Sequence, residues 1–387
     1  MRVGTGLSEA HETLVAVEEA LAAARLAAGG TAPEGVLLWL TPHHAEALPA
    51  VLERLKAEGG PRHLAGCLAP GVICGDRELF DTPGVAVMSF HEAEPWRLST
   101  MIVRGLSERN EQAAQALVAA LQPGDLGLVM LSTSGFSPES FERGLRTPRT
   151  GLAVLGGGAV NLGGPDWVFT GWGPHDDAMA VFIVRACRPA CAVSQSCRAV
   201  SRPYRVGGAR GRVVAALGGK PAARALMRVV KQIGIAEAEI GRHLMVGLTQ
   251  ASDLAAIARG DTCVRPVLGV EDRIGALYLG AEVREGDWLT FLLRDQDHAR
   301  MDLNAAALEL AGQIAHRGAP EYSLLVDCSG RGPAFQGIPE HDAAILAAHL
   351  GSVPLAGFFS GFELAPRPTS PASVHLFAAV AAVGWGI

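Results

Sequence analysis

Long apolar runs, an even set of cysteines and an excess of positive charge are all missing from this sequence. Each absence removes a class of protein. A bilayer-crossing helix needs ~20 apolar residues, and no stretch reaches that length. The nearest, Leu376 to Trp385, contains a glycine, follows His375 and reads as a last core strand. Met1 to Gly6 leads straight into a segment read as an amphipathic helix, so no signal peptide is expected. The 7 cysteines make an odd count without a paired framework, which fits free thiols in a reducing cytoplasm. Lysine and arginine total 33 against 39 acidic residues, for a net charge of −6. The arginines are scattered singly, so no nucleic-acid surface is expected. Cys187, Cys191 and Cys197 lack the spacing of a zinc ribbon or a ferredoxin run, no fourth ligand is near, and no Cys-x-x-Cys-His occurs, so no metal is expected. Gly156-Gly157-Gly158 is followed by turn and hairpin signals, whereas a dinucleotide loop opens a helix.

What is present is a large apolar fraction cut by many turns. Hydrophobic residues make up 49% of the 387, and 47 glycines and 23 prolines are spread throughout. The pattern is α/β with mixed sheets. A strand over Val36 to Leu40 and a helix through Leu48, Val51, Leu52 and Leu55 lead to a strand that starts at His63 and ends in a glycine turn at Gly71. Tyr322 to Val326, a helix with Ile345, Leu346 and Leu350, and Val353 to Phe359 repeat that order, with Leu64-Ala65-Gly66 answered by Leu355-Ala356-Gly357. A third copy runs from Leu126 through Phe141 to Gly158. These are internal β-α-β repeats ending in glycine-rich turns, carried by two related halves. Residues 8 to 28 read as a helix capped by Ser8. Arg202 to Arg212 reads as turn, and Trp167–Thr170 with Met179–Val184 as a hairpin about Gly173 to Asp177. The boundary between halves is placed at 210/211.

In α/β folds ligands collect where strands end in such turns. Cys67, Cys197 and Cys328 each sit in one. A thiol beside Arg331 in a cluster of backbone N–H groups leans toward thiolate, although a buried cysteine also serves as a small hydrophobe. Arg294, Asp295 and Glu363 are charges at the ends of apolar strands, hence paired or facing a ligand. An arginine with a carboxylate suits a zwitterion: the guanidinium fork takes a carboxylate and Glu363 accepts from an ammonium. His43 and His44 open a helix, where the dipole favours a neutral imidazole that can ligate haem iron.

The ordered set of turns resembles the FIST-domain family over nearly the whole chain, with an N-terminal region at 1–210 and a C-terminal region at 211–387. The likeness rests on Val3-Gly4-Thr5-Gly6, Thr41-Pro42-His43-His44-Ala45, Gly66 to Ile73, Ser196 to Ser201, Phe291 to Asp295, Cys328 to Gly332, Glu340-His341-Asp342, Gly357-Phe358-Phe359 with Glu363 and Pro366, and His375. Ser360-Gly361-Phe362-Glu363 stands where the family usually shows Cys-Asn-Gly-Glu, and serines replace both glycines that flank the usual Gly-Cys-Arg-Pro turn.

The resemblance implies a cytoplasmic sensory protein for a small ligand such as an amino acid or other polar acid. Some members resemble haem-based nitric oxide sensors. The output then comes from a separate signalling partner, such as a histidine kinase or a cyclic-dinucleotide enzyme. The expected pocket lies between the halves. Arg294, Arg331 and Glu363 contact the ligand there, and Cys328, His341, Asp342, Cys67 and Cys197 line the wall. Two alternatives remain: haem held by His44, and an enzyme with Cys328 as nucleophile and His341 as base.

Overall fold

The computed structural model describes residues 1–147, 149–160, 163–171, 173–250, 262–271, 273–367 and 370–386. The chain forms two compact units, residues 1–194 with 301–387, and residues 195–300.

The first unit is a mixed α/β body of three six-stranded sheets, each seeded by one copy of the β-α-β repeat. In the first copy Gly35–Leu40 and His63–Leu68 run parallel on either side of the helix Leu48–Ala57. In the second, Leu126–Ser132 and Ala153–Ala159 flank Pro138–Gly144. In the third, Tyr322–Cys328 and Leu355–Ser360 flank His341–Leu350. Each copy opens with an edge strand and a further helix and closes with a strand antiparallel to its first parallel strand. The closing strands are Val85–His91, Ala178–Val184 and Ala378–Gly384. The third copy is interrupted: its edge strand Ala190–Gln195 leads into the second unit, and its first helix, Gln296–Arg317, starts in the last residues of that unit and continues in the first.

Between the last two strands of each copy lies a hairpin that leaves home. Gly71–Cys74 of the first copy pairs with the third copy's Leu355–Ser360, Cys74 opposite Ala356. Val168–Thr170 of the second pairs with the first copy's His63–Leu68, Val168 opposite Cys67. Glu363–Arg367 of the third pairs with the second copy's Ala153–Ala159, Glu363 opposite Gly157. The exchange is cyclic, so every sheet is completed by another repeat.

The inner faces of the three sheets share one core: Trp39, Met88 and Phe90 from the first sheet, Met130 and Phe182 from the second, Tyr322, Val326 and Phe358 from the third. Trp39 stacks on Phe358 with centroids 5.9 Å apart, and Phe90 lies 5.1 Å from Phe182. The outer faces bury separate clusters under their helices. Burial on both faces explains the continuous apolar runs of the central strands.

Gly66, Gly156 and Gly357 occupy one equivalent position, opposite Leu38, Val129 and Leu325. A Cβ at these glycines would sit 1.9, 1.9 and 1.7 Å from the carbonyl oxygens of those partners. The repeated Leu-Ala-Gly signal therefore has a steric cause.

In the second unit, Trp288–Arg294 pairs both with Leu244–Thr249 and with Tyr204–Arg210, closing the sheet on itself. The helix Ala222–Ile233 plugs this ring through Ala222, Leu226, Val229 and Val230.

Several local expectations change. Arg2–Ser8 is a strand rather than a helix entry, and the helix begins at Thr13 with Glu12, not Ser8, accepting from the first-turn N–H groups. Within the stretch read as turn, Tyr204–Arg210 is a strand that forms a hairpin with Val213–Leu217. Val168–Thr170 forms its hairpin with Gly173–His175, while Ala178–Val184 sits in another sheet. Gly156 to Gly158 lie inside a strand. Among the described residues no helix is long and apolar enough to cross a membrane, and no group of His, Cys, Asp and Glu has metal-binding geometry.

Candidate functional site

At the C-terminal end of the third parallel pair, strand alternation sends Val326 and Cys328 to the common core side and Asp327 to the helix side. Asp327 is fully buried. Its equivalents in the other copies, two residues beyond Leu38 and Val129, are Leu40 and Leu131, so a carboxylate replaces an aliphatic side chain here alone. The next turn returns Arg331, also buried, whose Nε lies 3.1 Å from Asp327 Oδ1. Arg331 Nε also donates to Asp342 Oδ2 at 2.7 Å, and Nη2 lies 2.6 Å from the same oxygen as an ion pair. Asp342 Oδ1 meets His341 Nδ1 at 2.6 Å and accepts from Gln336 Nε2 at 3.0 Å. Glu78, brought by the first copy's hairpin, accepts from Ala343 N at 2.7 Å in the first turn of the helix His341–Leu350.

The electrostatics follow from burial and pairing. Burial would raise Asp342, but the charge of Arg331 and the bonds to its carboxylate hold it below the usual range. Asp327 is pushed well up by burial and by Asp342. Arg331 keeps its charge firmly, since the two aspartates outweigh the cost of burial. Burial lifts Glu78 to about 7, against the pull of the Ala343 N–H.

Next to this cluster, Ser360 Oγ donates to Glu363 Oε1 at 2.8 Å, and Ala378 N donates to Oε2 at 3.1 Å. Burial raises Glu363 to about 8. In the other copies the N–H equivalent to that of Ala378 is taken by the strand-end hydroxyl: Gly84 N donates to Thr41 and Ala178 N to Ser132. Cys328 holds that strand-end place in the third copy and Glu363 has assumed the accepting role. Burial, then the negative charge of Glu363, push the Cys328 thiol well up. The thiolate expected from its nearness to Arg331 is thus disfavoured, because both aspartates claim the guanidinium.

The structure therefore brings Arg331, His341 and Asp342 together, and Cys328 with Glu363. Arg294, Cys197 and Cys67 stand elsewhere. Arg294 ends a strand of the second unit, opposite Cys197, with Nη1 3.4 Å from the carbonyl of Arg242. Cys67 is a buried side chain of the common core with its thiol raised by burial alone. His44 is fully buried, its Nδ1 3.1 Å from Thr13 Oγ1. Burial, with the nearby His43 and His11, lowers it to about 4. Asp327, Gln336 and Glu78 were missed by sequence reasoning. The one available signal was an acid at the end of an apolar run.

A cavity of about 640 Å³ opens elsewhere, wholly within the second unit. One wall runs from the strand Cys197–Ala199 to the first residue of Tyr204–Arg210, with Arg198, Ser201, Arg202 and Tyr204. Ser201 fixes this segment by accepting from Phe291 N and donating to the carbonyl of Arg202, both at 2.9 Å. The Arg202 guanidinium lies 5.9 Å from the Tyr204 ring centroid. The other wall is the last turns of the helix Ala222–Ile233, where Arg228 and Gln232 are spaced to share a face. Three arginines and no acidic residue line the cavity. Asp295, outside the lining, bonds Arg198 Nε at 2.5 Å and is lowered chiefly by that bond.

An uncharacterized protein of Mycobacterium tuberculosis is 33% identical over 95% of both chains. An uncharacterized protein of Mycobacterium bovis is 30% identical over 95% of this chain and 94% of its own. A solved cyanuric acid hydrolase spans 99% of both chains at 10% identity, with a TM-score of 0.29, below the level of a shared fold. The FIST N domain matches residues 35–220 and the FIST C domain residues 222–366. Together these place one wall of the arginine-lined cavity in each matched region, and the chain belongs to the FIST family.

Proposed function

We propose that this chain is a sensory protein that binds a small acidic molecule in the cavity walled by Arg198, Ser201, Arg202, Tyr204, Arg228 and Gln232. FIST domains are associated with small-ligand sensing in signal transduction. The observation that carries the reading is a lining with three guanidinium groups and no carboxylate, in a cavity of about 640 Å³, a volume typical of small-molecule sites. Planar guanidinium forks take carboxylate or phosphate oxygens bidentately, and Tyr204 offers a flat apolar wall. The half-negative end of the helix Ala222–Ile233 opposes an anion but is outweighed by Arg202 and Arg228, with Arg198 shared with Asp295. In this reading the acidic ligand is met by Arg198, Arg202 and Arg228, while Arg331 serves the ion cluster of the first unit and Glu363 the hydrogen bonds of Ser360 and Ala378 beside it. The output passes to a separate signalling protein.

Isothermal titration of the full chain against a panel of mono-, di- and tricarboxylates, phosphate esters and their neutral amides tests this. Binding of acids that weakens on adding salt, and at least tenfold weaker binding in Arg202→Ala/Arg228→Ala, is expected. Equal binding by the double variant, or no acid bound across the panel by folded protein, refutes it.

A further inference from the structure

Asp295 does two things at once. Its Oδ1 accepts from His298 N at 2.9 Å, and its carbonyl accepts from Ala299 N at 3.0 Å. Those bonds make it the N-cap of the helix Gln296–Arg317. Its other oxygen, Oδ2, is held by Arg198 Nε. Arg198 in turn is a lining residue of the arginine-rich cavity, and its side chain is 45% exposed. The capped helix is long: residues 301 onward belong to the first unit, where Leu303, Ala306, Ala307 and Leu310 pack on the outer face of the third sheet.

We infer that occupancy of this cavity is read through Arg198 and Asp295 as a tightening of the first turn of the helix Gln296–Arg317. The inference rests on the ligand-binding reading above. Asp295 engages Nε of the guanidinium, which leaves the Nη1/Nη2 edge to grip an anion without breaking the pair. An exposed ion pair is weak mainly because two long side chains must be held in one geometry. A ligand that pins Arg198 removes that cost, so the carboxylate is held more firmly and its Oδ1 stays on the His298 N–H. The coupling is reciprocal: a firmer cap favours the bound arrangement of Arg198. Asp295 is a positioning residue, since it acts through Arg198 and does not line the cavity.

The test uses the full chain, with citrate and inorganic phosphate as probes. Backbone amide hydrogen exchange is followed at His298 and Ala299, beside titration calorimetry, in the wild type and in Asp295→Asn. Asparagine caps a helix about as well as aspartate, so the helix start is retained, but the charge that Arg198 grips is gone. In the wild type, a saturating probe slows exchange at the two amides about two- to fivefold, the range set by an exposed ion pair. In Asp295→Asn the probe still binds and the slowing is absent. Binding without slowing in the wild type, or equal slowing in the variant, overturns the relay and leaves the cavity's ligand role standing. Failure of both probes to bind folded protein overturns the relay as stated, and the wider acid panel then decides the reading beneath it.

Discussion

Replacing Glu363 with glutamine isolates one buried proton. Glu363 sits among Ser360, Ala378 and Cys328, with its carboxyl raised from 4.5 to about 8 by burial, against the hydrogen bonds of Ser360 and Ala378. A carboxyl whose folded value lies above its unfolded one stabilises fully below the unfolded value. That contribution is lost as pH rises through the folded value. Here the window runs from about 4.5 to about 8. At 1.36 kcal/mol per unit the full swing is about 5 kcal/mol, an order-of-magnitude ceiling. Glutamine keeps an acceptor for the Ser360 hydroxyl or the Ala378 N–H and cannot titrate. Urea unfolding of the wild type and Glu363→Gln at half-unit steps from pH 5 to 9 should give curves that diverge. The wild type loses stability relative to the variant by up to about 1.4 kcal/mol per unit, and the difference flattens above pH 8 to 9. Parallel curves across the whole range would mean that the folded carboxyl titrates near its ordinary value, and the account of its burial would be wrong.

Gly357→Ala places a methyl where the Leu325 carbonyl oxygen stands, 1.7 Å away. A loss of more than about 3 kcal/mol is expected, with similar losses for Gly66→Ala and Gly156→Ala, measured by thermal unfolding. Arg331→Ala strands Asp327 and Asp342 in the interior and should cost about 3–5 kcal/mol at pH 7. The loss should be smaller at pH 5, where protonation relieves the carboxylates; chemical denaturation at both values checks it. Cys328, buried and raised, should resist iodoacetamide at pH 8 in the native state and react after unfolding, as quantified by mass spectrometry. Fast native labelling of Cys328 would contradict its placement.

Much of the first unit was legible because the parallel strands are buried on both faces and read as apolar runs, and because three glycines mark one steric constraint. The strand Arg2–Ser8 was lost because Gly4 and Gly6 leave few side chains to count, which let the following helical pattern be extended backward to Ser8. Gly207-Gly208 disguised the strand Tyr204–Arg210 in the same way. The hairpin exchange is invisible to local pattern, since it depends on which distant edge each hairpin meets. The grouping of Arg331 with His341 and Asp342 was accessible because 11 residues separate Arg331 from Asp342. Glu78 lies 265 positions from Ala343, beyond any short-range rule. The arginine-lined cavity was only half visible: the turn at Ser196 to Ser201 was singled out, but its partner wall, Arg228 and Gln232, looks like any exposed helix face.

The circular lending of hairpins has a consequence for how the polypeptide comes to exist. The first sheet waits for residues 168–175, the third needs 71–80, and the second stays open until 363–375 have been made. Nascent chain emerging from a ribosome thus carries unfinished sheet edges for most of its synthesis, and closure falls near the end. Such long-range pairing makes for slow, all-or-none assembly, so a chain cut before residue 363 should come out aggregated, with neither a trimmed nor a two-thirds-folded protein in its place.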